Sequence, residues 1–176
     1  RLHIKGRNGV GKSTLVKAII AAALEKKVPA TVYAGNINIS SKLKLGVYDQ
    51  EINPDWLELT LGQATSQIFS QKGLAVSDQR IKQVLADYLF DPQIDVHLQV
   101  SKLSGGQKAR LQIISLLASN PNVLILDEPT NHLDLPSIEE LEGALSDYTG
   151  AIIYVSHDSY FADNIGGEDL LLGAKQ

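Results

Sequence analysis

The chain has 176 residues, of which 44% are hydrophobic and 20% charged, so it is long enough for a buried core and too apolar to be disordered. Its formal net charge of −4 argues against a chain that clamps a polyanion along its whole surface, although a local basic patch is not excluded. The absence of cysteine excludes a disulfide scaffold, a thiol nucleophile and a cysteine-based zinc site.

The first third of the chain predicts one helix among short strands. Residues 2–5 form a strand-like run that ends in a glycine-rich segment, residues 6–11. Apolar residues then recur at helical spacing from Lys12 to about Lys27, and Pro29 ends the pattern. Further strands are expected over residues 31–34, 37–39 and 45–48.

The middle of the chain is expected to be helical. Two stretches have the spacing of a capping box, in which residues three apart satisfy each other's free backbone N–H groups. These pairs are Thr60 with Gln63 and Ser104 with Gln107. With a further helix expected between them, the pattern predicts a helical subdomain at about residues 55–119.

Strands return in the last third of the chain. The apolar runs at residues 123–126 and 151–155 are typical of central parallel strands that are buried on both faces. Between them a helix is expected to begin at Pro136 and to end by Gly150. The alternation of strands and helices predicts an α/β fold with a parallel central sheet flanked by helices, together with the helical subdomain.

The loop after the first strand has the spacing of a phosphate-binding loop. Residues 6–13, Gly-Arg-Asn-Gly-Val-Gly-Lys-Ser, fit the pattern G-x-x-x-x-G-K-S/T. In this pattern the glycines let backbone N–H groups face phosphate oxygens, Lys12 reaches the β- and γ-phosphates, and Ser13 offers its hydroxyl to Mg²⁺. The candidate phosphate-binding residues are Gly6, Asn8, Gly9, Val10, Gly11, Lys12, Ser13 and Thr14.

Two acidic residues end the first apolar strand of the last third. Asp127 is placed to hold Mg²⁺, directly or through water, and Glu128 to polarise a water for attack on a γ-phosphate. Taken alone, the pattern equally fits a strand followed by a polar turn that Pro129 helps to form. Beside a phosphate-binding loop the metal and catalytic interpretation is favoured, because such a site needs an acid at a strand end.

A second helix start has the composition of an anion-binding surface. Ser104, Gly105, Gly106 and Gln107 stand at the N-terminus of a predicted helix, where the helix dipole attracts anions. An ordinary capped helix is the alternative. Because one nucleotide needs only one phosphate-binding loop, we interpret this second start as binding the nucleotide of a partner domain.

In this order the motifs resemble those of an ABC ATPase nucleotide-binding domain, which is a P-loop NTPase. The Walker A, Q-loop, signature, Walker B, D-loop and H-loop motifs of that family correspond to residues 6–13, Gln50, 103–107, 124–128, 131–134 and His157. The resemblance covers essentially the whole chain, so residues 1–176 are expected to form a single domain of this type.

The resemblance implies roles that no pattern assigns by itself. Gln50 would contact Mg²⁺ and the attacking water, so that Ser13, Gln50 and Asp127 form the metal set. His157 would contact the γ-phosphate. The implied catalytic residues are therefore Glu128, His157 and Gln50.

A head-to-tail pair of such domains is implied as well. ATP, with Mg²⁺, would lie between the Lys12 loop of one domain and the Ser104 helix of the other. Asp134 would shape the contact between the two domains near the other site. The second ABC ATPase domain would belong to the same parent chain or to a second copy.

Three stretches are similar to the ABC-F subfamily in particular. They are Ser-Gly-Gly-Gln-Lys-Ala-Arg-Leu at 104–111, Asp-Glu-Pro-Thr-Asn-His-Leu-Asp-Leu at 127–135 and Val-Ser-His-Asp-Ser-Tyr-Phe at 155–161. Similar ABC-F proteins carry two ATPase domains on one chain, have no membrane domain, and act on the ribosome in translation or antibiotic resistance. The resemblance thus implies a cytoplasmic protein with a ribosomal partner and no insertion into a membrane.

Two other functions stay open at this point. A cytosolic ATP-binding subunit of a membrane transporter would use residues 55–99 to hold a coupling helix of its membrane partner. An ATP-dependent clamp of DNA repair or chromosome organisation would carry long coiled-coil heptads between the phosphate loop and the signature. Only about 90 residues separate these motifs, without sustained heptads, so this class ranks last.

The segment before the phosphate loop departs from the family pattern. The family places an aromatic residue that stacks on adenine about two dozen residues before this loop, and the chain has only five residues there. We therefore expect the aromatic and the first strands to be missing, and the chain to be part of a longer protein, at most one of two domains. Such a chain is expected to bind ATP poorly alone and to be largely monomeric.

Overall fold

The structure, a computed structural model, describes residues 1–24, 35–49 and 51–173. The chain is divided into two compact units. The sheet unit comprises residues 1–48, 121–131 and 148–176, and the helical unit comprises residues 49–120 and 132–147.

The described residues form five strands and six α-helices. In chain order these are β1 (Leu2–Lys5), α1 (Lys12–Ala23), β2 (Leu45–Val47), α2 (Leu61–Gln71), α3 (Asp78–Asp87), α4 (Gly105–Leu117), β3 (Val123–Asp127), α5 (Leu135–Asp147), β4 (Ala151–Val155), α6 (Ser159–Ile165) and β5 (Glu168–Leu171). Short 3-10 helices lie at Pro54–Trp56, Asp95–His97 and Val100–Lys102. Within the described ranges, no helix has the length and apolar character that crossing a membrane requires.

The strands of the sheet unit form one parallel sheet with the order β2-β3-β4-β1-β5. Its central strands have continuous apolar runs because they are buried on both faces: Leu124, Ile125 and Leu126 of β3 are fully buried. Val16 of α1 packs against the sheet beside Ile4. The parallel sheet flanked by helices that the sequence predicts is confirmed.

The register of the sheet brings three strand ends to one edge. Asp127 at the end of β3 pairs with Val155 at the end of β4, and His3 of β1 pairs with Tyr154 of β4. Because the strands are parallel, the residues that follow β1, β3 and β4 all emerge at the same edge of the sheet. Ligands of parallel α/β sheets bind at this carboxyl edge.

One predicted strand is absent. Residues 37–39 form no strand, and Ile37 and Ile39 are only half-buried. An alternation over three positions is too short to hold a strand without a paired neighbour, and among the described strands β2 pairs only with β3. The strand predicted for residues 31–34 lies outside the described residues. Position 27, where the first helix was predicted to end, also lies outside them, and α1 ends earlier, at Ala23.

The last strand, β5, was not predicted from the sequence. All four of its residues are exposed, so neither an apolar run nor an alternation marks it. It is held by parallel pairing with β1 and by an ion pair in which Lys5 Nζ lies 2.8 Å from an Asp169 carboxylate oxygen. The partner strand, and not its own sequence, therefore determines that this segment is extended.

The helical unit has an apolar core to which α2, α3 and α4 contribute. Leu61, Leu85 and Leu111 are fully buried there. Both predicted capping boxes are present, at the starts of α2 and α4. The unit includes the predicted segment 55–119 and also residues 132–147, which contain α5.

Helices α2 and α3 end in the same backbone arrangement but with different residues at the left-handed position. Gly73 follows α2 with φ 72°, whereas Leu89 follows α3 with φ 59°. In both, the next residue donates its N–H to the carbonyl five positions earlier, at N···O distances of 2.9 and 3.0 Å. A side chain in this conformation costs about 1–2 kcal/mol, so Leu89 is a strained position.

We expect Leu89→Gly to stabilise the protein by about 0.5–1 kcal/mol. The residue is 73% exposed, so little burial is lost. The relief of strain exceeds the extra conformational entropy that glycine brings to the unfolded chain. Thermal denaturation should show a higher Tm for Leu89→Gly and a lower one for the reverse change, Gly73→Leu. Equal or lower stability of Leu89→Gly would contradict this account.

Candidate nucleotide-binding site

The glycine-rich loop joins β1 to α1 and leaves the start of the helix open to an anion. Gly11 precedes α1 with φ 105°, in the left-handed region, and no side chain caps the helix N-terminus. No acidic residue lies in the first turn of α1. Uncapped N–H groups at a helix start bind phosphate oxygens. The predicted phosphate-binding residues Gly6, Asn8, Gly9, Val10, Gly11, Lys12, Ser13 and Thr14 all lie in this loop and the first turn.

The Lys12 side chain folds back towards the start of the loop. Its side-chain nitrogen donates to the carbonyl oxygens of Gly6 at 3.0 Å and of Arg7 at 3.4 Å, and the residue is only 8% exposed. The ammonium group is therefore fixed next to the backbone that would surround a phosphate. A cavity of about 310 Å³ opens beside it, and His157 also lines this cavity.

Ser13 and Asp127 lie in contact at the carboxyl edge of the sheet. The Ser13 hydroxyl donates to a carboxylate oxygen of Asp127 at 3.1 Å. Where the structure describes the chain, no group of three His, Asp or Glu residues could hold a metal ion by itself. A hydroxyl and one carboxylate suit Mg²⁺, which commonly takes its remaining ligands from substrate phosphates and water. The pair fits Mg²⁺ bound together with a nucleotide.

Glu128 and His157 form a second contact, which joins the ends of β3 and β4. One carboxylate oxygen of Glu128 accepts from the His157 backbone N–H at 3.0 Å, and the other lies 3.3 Å from His157 Nε2. The Glu128 side chain is 16% exposed and that of His157 is 56% exposed. A half-exposed imidazole beside a mostly buried carboxylate leaves one side of the pair open to a ligand.

The backbone of Glu128 is in the left-handed region, with φ 51°. This conformation costs a non-glycine residue about 1–3 kcal/mol and concentrates at functional sites. At Glu128 it is fixed by a hydrogen bond from the Glu128 N–H to the Val155 carbonyl at 2.8 Å. The turn ends β3 and orients the carboxylate towards His157.

The predicted signature lies in the helical unit, at the start of α4. The Ser104 hydroxyl oxygen accepts from the Gln107 N–H at 3.2 Å, and the Gln107 side-chain oxygen accepts from the Ser104 N–H at 3.0 Å. Because the Ser104 oxygen acts as an acceptor, its own proton can be donated outward. Ser104 and Gly105 are exposed, as a surface for another molecule's phosphate requires. The capping box and the anion-binding interpretation are therefore compatible.

Asp134 is the last residue of the predicted D-loop and directly precedes α5. One of its carboxylate oxygens accepts from the Ser137 N–H at 3.1 Å and also from the Ser137 hydroxyl. These two bonds hold the pKa of the Asp134 carboxyl below its ordinary value, because they favour the charged form.

Gln50, the predicted Q-loop residue, lies outside the described residues.

The sequence patterns did not single out Gln112, which is 7% exposed within α4. Its side-chain nitrogen donates to the carbonyl oxygen of Asp49 at 2.7 Å, which fixes the residue directly before Gln50 in the chain. The available signal was a polar residue within the apolar part of a helix. A buried amide there requires a partner, but the sequence does not identify which one.

Comparisons with known proteins identify the family that this chain resembles. A protein-family model described as "ABC transporter" matches residues 1–131. YdiF of Bacillus subtilis is 40% identical over 169 residues, which cover 96% of this chain and 24% of that protein. ABC transporter F family member 4 of Arabidopsis thaliana is 37% identical over 174 residues, which cover 96% of this chain and 22% of that protein. These matches confirm the resemblance drawn from the motifs.

A solved structure shows a similar fold. The archaeal ribosome recycling factor aABCE1, solved in complex with the archaeal ribosomal stalk protein aP1, superposes with a TM-score of 0.62 at 25% identity. The match covers 97% of this chain and 31% of that one. The chain thus spans between 22% and 31% of the length of these three proteins.

Proposed function

This chain belongs to the ABC transporter family, and on that premise we propose that it binds ATP with Mg²⁺ and hydrolyses it. The observation that carries the proposal is the convergence of two contacts at one sheet edge. Ser13 with Asp127 suits a metal-bound phosphate, and Glu128 with His157 suits a water that attacks it.

Each group has a defined task in this proposal. The N–H groups of the loop and the Lys12 ammonium bind the phosphates, and Ser13 and Asp127 would hold Mg²⁺, which would supply positive charge to the phosphates. Glu128 accepts the proton of the attacking water as general base. His157 orients the Glu128 carboxylate and contacts the γ-phosphate.

We further propose that two such domains pair head to tail. The exposed Ser104 hydroxyl and the backbone N–H groups at the start of α4 form a phosphate-binding surface in the helical unit. A nucleotide held by the loop of the sheet unit in one domain would be completed by this surface of another. The second domain would come from a longer parent chain or from a second copy.

The proposed partner is the ribosome, and the proposed role is that of an ABC-F protein in translation or antibiotic resistance. Support comes from relatives named as F family members in Arabidopsis thaliana and from the fold shared with a ribosome recycling factor. The alternative partner is the membrane subunit of a transporter.

Co-sedimentation tests the partner. The protein is mixed with ribosomes or with membrane vesicles, each with and without ATP, and the pellets are compared. ATP-dependent recovery with ribosomes and not with vesicles is expected. Recovery with vesicles alone would favour the transporter function, and Lys12→Ala serves as the control that should lose the ATP dependence.

A further inference from the structure

The Asp134 carboxylate lies between the starts of two helices in the helical unit. One oxygen caps α5 through the backbone N–H and hydroxyl of Ser137, which is itself 2% exposed. The other oxygen faces α4. A Cβ atom built on Gly105, the first residue of α4, would lie 2.7 Å from that oxygen and 3.2 Å from the Asp134 carboxyl carbon.

Such a distance is too short for any real Cβ contact, so a side chain at position 105 would force something to move. A flexible side chain could rotate away at little cost, but Asp134 is held by its two bonds to Ser137. Rotation would therefore uncap α5. The alternative is a displacement of the start of α4, which carries Ser104.

The neighbouring glycine is under no such constraint. A Cβ on Gly106 would meet only the side chain of Pro136, at an ordinary contact distance of 3.9 Å. A Cβ on Gly143, within α5, would meet no atom within 4 Å other than those of its chain neighbours and its own helix backbone. The close approach is thus specific to Gly105.

Further along, the two helices are joined by an ion pair. Arg110 Nη2 of α4 lies 2.5 Å from a Glu140 carboxylate oxygen of α5, and Arg110 Nη1 donates to the carbonyl oxygen of Leu89 at 3.1 Å. With this link fixed, contact between Asp134 and Gly105 sets the position of the exposed end of α4 relative to α5.

We propose that Asp134 is a positioning residue for the start of its own α4, and that position 105 requires glycine because Asp134 occupies the space of a Cβ atom. Asp134 acts within its own chain here, and it presents Ser104 and the following N–H groups to the phosphate of a partner domain. The inference rests on the proposed pairing of two domains around ATP, but the contact itself is independent of ATP.

A double-mutant cycle tests the proposal. The readout is ATP-driven association at saturating Mg²⁺-ATP, which offsets the weak ATP binding expected of the chain alone. Light scattering measures the protein concentration at which half of the chains are associated. All variants carry Glu128→Gln, so that bound ATP is retained. Gly105→Ala is expected to raise this concentration about tenfold. In an Asp134→Ala background, which removes the obstructing carboxylate, adding Gly105→Ala should change it by less than about threefold.

Matched variants separate position from general damage. Asp134→Asn keeps the shape of the side chain and the cap of α5, so its concentration for half-association should stay within about twofold of that of the Glu128→Gln protein. Asp134→Ala should raise this concentration about tenfold. Gly106→Ala should have the same effect in both Asp134 backgrounds. Gly143→Ala should leave association unchanged.

Thermal unfolding of the same variants without ATP separates this inference from the proposed function. One contrary outcome is that Gly105→Ala lowers association and thermal stability by the same amounts whether residue 134 is aspartate or alanine. In that case the inference is wrong, because Gly105 then either contacts the phosphate directly or has no role in association. If the two changes are coupled in unfolding but independent in association, Asp134 has only a structural role and the inference is also overturned. If no variant associates with ATP while unfolding shows the coupling, the proposed function fails and the positioning role fails with it.

Discussion

Glu128→Gln is expected to lower the rate of ATP hydrolysis by about 10²–10⁴-fold and to leave ATP and Mg²⁺ binding intact. Glutamine has almost the shape of glutamate, and its amide oxygen can still accept from the His157 N–H, as the carboxylate does at 3.0 Å. It cannot accept a proton from water. The proposed metal contacts belong to Ser13 and Asp127, which the substitution leaves in place.

Single-turnover hydrolysis and equilibrium binding of ATP, measured on the same preparation, check this expectation. Glu139→Gln is the matched control. Glu139 is exposed on α5, so this variant should hydrolyse ATP at the rate of the unsubstituted protein. A Glu128→Gln protein that turns over ATP as fast as the parent would exclude Glu128 as the general base. A loss of ATP binding would instead show that Glu128 serves the nucleotide or the metal.

A second consequence concerns association. In the proposed head-to-tail pair, ATP that is bound but not hydrolysed should keep two domains together, because the start of α4 would bind its γ-phosphate. At saturating Mg²⁺-ATP, which offsets the weak binding expected of the chain alone, the Glu128→Gln protein should therefore accumulate in the associated form. It should dissociate when ADP replaces ATP. Size-exclusion chromatography in each nucleotide distinguishes the two states.

Much of the sheet was predictable from the sequence, because strands that are buried on both faces have continuous apolar runs. The runs in β3 and β4 are continuous and apolar, and both were predicted within one residue of their observed ends. The exposed strand β5 carries no such pattern, and its conformation depends on β1, more than 160 residues away in the chain. Local patterns predict elements with a strong hydrophobic signal, and strand pairing determines the others.

The candidate site also has one part that local sequence patterns predict and another that depends on contacts between distant residues. The loop and the acids at 127 and 128 were predictable because phosphate and metal binding constrain short stretches of sequence. The left-handed backbone of Glu128, and the contact that it makes with His157, depend on a hydrogen bond across two strands. The close approach of Asp134 to Gly105 likewise joins residues from distant parts of the chain. Such contacts are set by tertiary packing, which one sequence does not display.

Lys12→Ala is expected to weaken ATP binding by at least about 100-fold. The lysine is 8% exposed, and its ammonium is held beside the loop by the carbonyls of Gly6 and Arg7. Hydrogen bonds to charged groups contribute about 1.5–3 kcal/mol each, and contacts to both the β- and the γ-phosphate are expected here. The backbone N–H groups carry only partial charge and cannot replace them.

Isothermal titration calorimetry with Mg²⁺ and ATP measures the effect of Lys12→Ala, and two further variants define its cause. Lys17→Ala removes an exposed lysine from the same helix and should bind ATP as the parent does, which excludes a general effect of net charge. Lys12→Arg keeps the charge but places a planar, branched group where a compact ammonium fits between two carbonyls, so it should not restore binding. Equal affinity of Lys12→Ala and the parent would show that the loop does not bind the nucleotide. Full recovery by arginine would mean that charge alone matters and that the fixed position of the ammonium does not.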